Sequence, residues 1–290
     1  MDTRRTFIKK SGVLAIGSLM IPSVLSCTGK KTKDIGIQIY SVRDQLNEDL
    51  EGTLQQIAEI GYKWLELASY DDGKFYGKSP SEFRKIVDDL GMVIISNHAG
   101  IEIKNDNTGD VEKAADAHAE LGLKYVIKPW LAEERRVSAD SYKKVAEELN
   151  RIGEIMKSKG LKFGYHNHDF EFAPVEEHIP YDILLSETDG ELVTFEIDLY
   201  WIIKGGSNAV DYFNKYPGRF ELYHVKDMDN TEEAYYTEVG NGIINFRELF
   251  NLRDLAGMKF FFVEQDNCRN YPPLESVRIS FDYLNNCDFI

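Results

Sequence analysis

The chain has 290 residues, 43% of them hydrophobic and 29% charged, with a formal net charge of −15 at neutral pH. This balance supplies a core and excludes a disordered chain, and the length suits one large domain or two small ones. The acidity argues against a nucleic-acid partner, because phosphate binding needs a basic face and no Lys/Arg cluster beyond the first residues provides one.

In chain order, Thr3-Arg4-Arg5-Thr6-Phe7-Ile8-Lys9-Lys10 sets paired arginines before an uncharged stretch from Ser11 to Ser26, the pattern of a twin-arginine export signal. The stretch is too short and too rich in small residues for a membrane span. Val24-Leu25-Ser26-Cys27 resembles a lipobox, which makes Cys27 the expected acylated residue and the only expected membrane attachment. Residues 1–33 are therefore expected to be an export signal and tether, and residues 34–290 the folded domain of a periplasmic or membrane-anchored lipoprotein. Two further cysteines, Cys268 and Cys287, are left, and the sequence leaves their pairing open. No C-x-x-C spacing suggests a thiolate metal site.

From Ile35 onward, short apolar runs alternate with amphipathic stretches, which is the pattern of repeated βα units. The eight strand candidates are residues 35–40, 63–67, 92–96, 124–128, 161–166, 192–198, 220–224 and 259–264. Helical patterns such as 54–60 and 142–156 lie between them, and Gly61, Gly91, Gly122, Gly160 and Gly257 stand where a helix C-cap is needed. Eight units of this length close into a (β/α)8 barrel, a TIM barrel of the α/β class. The dinucleotide-binding alternative lacks its G-x-G-x-x-G turn after the first strand. The only long irregular insert, residues 227–241, is expected to form a lid or rim loop.

The chemistry gathers at strand ends. His166 and His168, Asp198, His224 and Glu264 close the last four strands, and neighbouring strands of a barrel bring their C-terminal ends together on the face where such folds keep their sites. Mixed imidazole and carboxylate donors suit a divalent metal such as Mn, Zn, Co or Fe rather than Ca. His166 and His168 are both candidate ligands from the fifth strand, beside Asp198, His224 and Glu264. Lys128 ends the fourth strand and Lys226 shares the inward face of His224; each either touches substrate or neutralises carboxylates. Glu66 and Glu196 point inward by period-two alternation, toward a substrate or into a buried ion pair with a lysine. Trp130, Tyr200 and Trp201 sit just past strand ends, and His98 just past the third strand; His118 and His178 have no evident partners.

Three segments, Phe195-Glu196-Ile197-Asp198-Leu199-Tyr200-Trp201, Leu222-Tyr223-His224-Val225-Lys226-Asp227 and Val263-Glu264-Gln265-Asp266, resemble the sugar phosphate isomerase/epimerase family of xylose-isomerase-like barrels, and the resemblance runs from about Ile35 to the C-terminus. It implies a metal held by a strand-five Glu, a strand-six Asp, a strand-seven His and a strand-eight Glu. Asp198, His224 and Glu264 match the last three, and His166 stands in place of the first. It further implies a small-molecule carbohydrate substrate and proton abstraction next to a carbonyl, with Glu264 or His168 as base, Lys226 as electrostatic partner, and Glu66, Lys128, Glu196 and Trp201 at the substrate. Epimerisation in relatives uses two glutamates on opposite faces of the substrate, so the histidine opens the alternative of a lyase or hydratase that dehydrates or cleaves a keto-glycoside. A non-catalytic carbohydrate-binding barrel is the rival from another class, and a nuclease on the same barrel conflicts with the net acidity.

Overall fold

A computed structural model describes residues 33–290; the proposed export signal, lipobox and Cys27 lie outside the described residues. Strands β1 (Gly36–Gln38), β2 (Trp64–Leu67), β3 (Val93–His98), β4 (Tyr125–Lys128), β5 (Lys162–His166), β6 (Val193–Asp198) and β7 (Leu222–Val225) are followed by a short antiparallel pair, β8 (Asp227–Met228) and β9 (Tyr236–Thr237), and then by β10 (Phe260–Val263). The parallel strands close in the order β1-β10-β7-β6-β5-β4-β3-β2, with Gly36 opposite Phe262 at the seam. This is the eight-stranded barrel that the alternation of elements predicts, with β10 as its eighth stave.

The strands read as apolar runs because both faces are covered. One large cluster of apolar side chains fills the space between sheet and helices, while Ile95, Tyr125, Ile127, Leu222 and Phe262 form a separate plug inside the barrel. Above that plug the inward positions turn polar, so a filled floor carries the site. At Gly164, a Cβ would stand 2.5 Å from Ile127 Cδ1, which leaves no room for a side chain there.

Helix ends follow local chemistry. Ser79 and Glu82 cap the helix Pro80–Asp89 reciprocally, and Pro80 occupies its first turn. Gly122 ends the helix Gly109–Leu121 at φ +85°, a left-handed conformation that side-chain-bearing residues adopt at a cost.

Three expectations change. The first strand is shorter than residues 35–40, because the Gln38 side chain accepts the Tyr40 N–H at 2.9 Å and turns the chain into the 3-10 segment Ile39–Val42. The insert at 227–241 is pinned rather than irregular: the buried Asp227 carboxylate accepts N–H groups from Met228, Gly240, Gly242 and Ile244 at 2.8, 2.9, 3.1 and 3.1 Å. His118 is buried, with ring nitrogens 2.9 Å from Asn97 Nδ2 and 2.6 Å from the Ala114 carbonyl, and it packs on Tyr70 and Phe75. Cys268 and Cys287 are both free thiols.

Burial pushes the His118 pKa from 6.5 down to about 4. Between those values the unfolded chain binds a proton that the folded chain refuses, so stability falls as pH drops through this window, by up to about 3 kcal/mol at its lower end. Urea unfolding at pH 7 and pH 4.5 is expected to show His118→Gln losing a smaller share of its stability than wild type. An identical pH slope in the two proteins would contradict the buried neutral imidazole.

Candidate metal centre

The four last barrel staves deliver their terminal side chains to one point. Asp198 ends β6, and its Oδ1 accepts the N–H groups of Tyr200 (2.9 Å) and Trp201 (2.8 Å), capping the helix Leu199–Lys204. This fixes the carboxylate and turns Oδ2 inward, where it is buried, makes no hydrogen bond, and lies 3.4 Å from His166 Nε2 and 3.1 Å from Lys226 Nζ. Asn167 accepts the Asp198 N–H at 3.0 Å and ties β5 to β6 at this level.

His224, at full burial, meets carboxylates on both sides of its ring. Nδ1 lies 2.8 Å from Glu264 Oε2 and 3.9 Å from Asp198 Oδ2; Nε2 lies 2.5 Å from Glu66 Oε1 and 3.2 Å from Glu196 Oε2. Two groups of potential ligands therefore share this residue: His166, Asp198, His224 and Glu264 above, and Glu66, His98, Glu196 and His224 below. In each group the donor atoms lie within 4.8 Å of one another.

The satisfaction of the donors tells the groups apart. Below, both Glu66 oxygens are occupied, by Gln38 Nε2 (3.0 Å) and His224 on one and by Ser96 Oγ on the other, and His98 Nε2 sits 2.6 Å from Glu196 at the cleft, which leaves one buried orphan, Glu196 Oε1. Above, both ring nitrogens of His166 and Asp198 Oδ2 are buried without a hydrogen-bond partner. Buried polar atoms are seldom left unpaired unless something binds them. The upper set fits a divalent cation, and His166 and Glu264 open from it into a cleft of about 520 Å³.

Electrostatics keep His166 and Glu264 in the forms a metal needs, whereas His224 is charged here: burial works against its proton, and Glu196, Glu264 and Glu66 overcome it and raise its pKa well above the ordinary value, so a divalent ion would have to displace that proton. Burial, reinforced by His224 and His98, holds His166 well below its ordinary pKa, so it is neutral with a free lone pair. Burial would raise Glu264, but Lys226 and His224 bring it well below the usual carboxylate range. Burial works against the charge of Lys226 too, and Asp198, Asp266 and Glu264 overcome it; Nζ stands 3.1, 2.5 and 2.9 Å from their oxygens. Lys226 is thus a fixed cation and not a base. In the lower layer, His98 and His224 draw Glu66 down to about 2 against the effect of burial, while burial and the Glu66 charge lift Glu196 to about 7.

Other expected site residues stand elsewhere. His168 lines the cleft with His166, its ring 4.5 Å from Trp130 and 5.4 Å from Trp201 between centroids. Burial holds it, too, well below its ordinary pKa. Glu66, Lys128, Glu196 and Trp201, expected at the substrate, do not line the cleft. Glu66 and Glu196 lie one layer deeper, under the histidines, because Glu196 precedes the rim residue Asp198 by two positions and alternation fixes the face but not the depth. The Lys128 ammonium is drawn to Glu102 at 2.7 Å. Trp201 packs behind His168 and against Tyr236.

Sequence reasoning missed Asp266 and Tyr40 on the cleft wall, and Glu171 behind it. The buried Glu171 accepts the His168 N–H at 2.8 Å and the Tyr165 hydroxyl, and burial lifts its pKa to about 7. The signal was a carboxylate set between Phe170 and Phe172 in a loop that otherwise buries aromatics.

A barrel of this closure, with its polar centre at the C-terminal rim, is a (β/α)8 metal-site architecture. The chain belongs to the xylose isomerase-like TIM barrel family, whose model matches residues 54–287. It is 24% identical over 237 residues to the inosose dehydratase of Clostridium beijerinckii, covering 70% of this chain and 77% of that protein. Among solved structures, a sugar phosphate isomerase/epimerase from Parabacteroides distasonis superposes with a TM-score of 0.80 at 30% identity, covering 90% of this chain and 96% of that one. The IolI protein, solved with a bound zinc atom, has a TM-score of 0.68 at 16% identity, covering 87% of this chain and 96% of that one.

Asp198→Asn keeps the cap oxygen and removes the charge that faces His166 and Lys226. Elemental analysis of the purified protein is expected to show at least a tenfold lower content of divalent metal in this variant, with a cooperative melting transition in the presence of chelator establishing that it is folded. Equal metal content in both proteins would remove Asp198 from the ligand set.

Proposed function

We propose that the protein is a divalent-metal-dependent enzyme that removes a proton next to the carbonyl of a keto-sugar derivative and expels a group from the neighbouring carbon, a lyase reaction on an isomerase-type scaffold. The observation that carries this reading is the set His166, Asp198, His224 and Glu264, with unpartnered buried donor atoms, at the floor of an open cleft. Bound there, a divalent ion supplies Lewis-acid polarisation of a carbonyl oxygen. The chain's own groups supply the rest.

Glu264 is held ionised by Lys226 and His224 and reaches the cleft wall, which suits it to take the proton from carbon. His168 lines the same cleft from the β5 stave, three staves from β10, and its neutral imidazole has an N–H to give to a leaving oxygen. Lys226 places a permanent positive charge beside Glu264 and Asp198, against which negative charge can develop on the substrate.

Elimination is favoured over epimerisation by one residue. Inversion at carbon needs a second base on the opposite face, and the chain carries His166, a neutral imidazole and no carboxylate, where the family resemblance implies a glutamate. The similarity to an inosose dehydratase supports the same choice. Residues 1–33, read as an export leader with Cys27 as lipid anchor, belong to the same proposal: an exported enzyme meets unphosphorylated sugars and glycosides.

The test is product analysis in D2O, with the protein loaded in turn with Mn, Zn, Co or Fe and offered keto-sugars and their glycosides. The expected products have lost water or an aglycone, and Glu264→Gln is expected to slow the reaction by about 100-fold or more. Recovery of an epimer with no loss of a leaving group would make the protein an epimerase. Tight sugar binding with no conversion under any metal would make it a binding protein.

A further inference from the structure

We propose that the catalytic cleft continues past Tyr40 into a second subsite that takes the distal ring of a two-ring carbohydrate, which makes the substrate a glycoside rather than a single sugar; this rests on the reading above and narrows its substrate class. Tyr40 stands in the turn after β1 with 41% of its surface exposed. Together with Ala68 it forms a wall common to two cavities, the cleft of about 520 Å³ over the metal centre and a neighbouring one of about 540 Å³. Each volume is of the size that holds a small ligand. Ala68 contributes only a methyl group to the shared wall, so Tyr40 is the one bulky side chain there.

The chemistry of the second cavity fits a hydroxylated ring. Arg43, Asn47, Ser69 and Lys78 line it, and no carboxylate does, in a chain whose net charge is −15. Leu46 and Leu50 give it an apolar floor, the mix of stacking surface and spaced polar groups that binds the two characters of a sugar. Arg43 is fixed by hydrogen bonds from Nη1 to the carbonyls of Tyr40 (3.1 Å) and Asp266 (2.9 Å), and its guanidinium lies 4.3 Å from the centre of the Tyr40 ring. One face of the tyrosine is therefore backed and the ring is held as a plate at the junction.

On the far side of the catalytic cleft stands a second plate. Trp130, 49% exposed, is braced by Arg136 at 4.3 Å and by Phe170 at 5.0 Å. Tyr40 follows β1 and Trp130 follows β4, three staves apart in the barrel. Large aromatics left exposed and rigid on two sides of one cleft mark a surface built to be covered. A single ring over the metal centre covers the Trp130 side; a linked second ring covers Tyr40 and enters the cavity behind it.

Calorimetric binding to the metal-loaded protein tests this without relying on turnover, with cellobiose, maltose and trehalose set against glucose. At least one disaccharide is expected to bind about tenfold more tightly than glucose, and that ratio is expected to fall toward one in Asn47→Trp, which fills the second cavity, and in Tyr40→Ala, which removes the plate; melting curves establish that each variant is folded. Equal affinity of wild type for glucose and every disaccharide, or no disaccharide binding at all, overturns the subsite. A preserved disaccharide preference in a protein that converts no keto-sugar leaves the subsite standing and removes the lyase reading. Conversion of single-ring substrates with no two-ring preference does the reverse.

Discussion

The imidazole of His224 is held between carboxylates on both of its nitrogens, and the functional end of the barrel is arranged around that fact. Glu66, drawn down to about 2 by the two histidines beside it, is a permanent acceptor 2.5 Å from Nε2. Carboxylates on both nitrogens fix the ring orientation and, against burial, raise its pKa well above the ordinary value, so Nδ1 carries a proton toward Glu264 that a divalent ion would have to displace. The lower layer of Glu66, Glu196 and His98 is thus the support for the upper layer, and Gln38 and Ser96 in turn support Glu66. Beneath both lies the apolar plug of Ile95, Tyr125, Ile127, Leu222 and Phe262, which gives this polar stack a rigid base and keeps water from entering from below.

The charge in this region imposes a second constraint. Glu66, Asp198, Glu264 and Asp266 lie buried or nearly so within contact of His224 or Lys226, and taking several carboxylates out of water is costly unless cations stay with them. Lys226 answers part of it by touching three carboxylates at once. That same contact explains why Lys226 cannot act as a base here: three anions stabilise its ammonium form. The lysine and the donor set are one electrostatic unit, and neither is buried at tolerable cost without the other.

Period and spacing were enough to read the barrel, because alternating apolar runs and amphipathic stretches leave few ways to close, and the strand-end rule placed His166, Asp198, His224 and Glu264 near one another. Depth was not readable. Glu66 and Glu196 share the inward face of their strands with the rim residues, yet stand a layer lower, and neither Glu196's place two residues before Asp198 nor the register offset between β2 and β3 at Leu65/Glu66 gives depth a local mark in sequence. Nor was the partner of Lys128, since Glu102 comes from the loop after the neighbouring strand. Asp227 gathers N–H groups from residues 13 to 17 positions onward, so the order it imposes on the insert depends on a fold-back that composition alone describes only as a loop.

A histidine at 166, where the family resemblance implies a glutamate, bears on the proposed chemistry more than on the architecture. A donor set of two carboxylates and two imidazoles, with His224 giving up its extra proton on ligation, would match the double charge of a divalent cation, whereas the three carboxylates and one imidazole implied for relatives would exceed it by one. Such a set would leave more of a bound cation's field for a substrate oxygen, and it lacks one of the two carboxylates that could hold a proton on carbon. On the proposed reading, a metal held there together with a single basic face would favour a reaction in which the proton leaves and does not return from the other side. With Lys226 fixed beside Glu264, the surplus charge that builds on the substrate has a cation waiting for it, and departure of a leaving group relieves that charge without any second base.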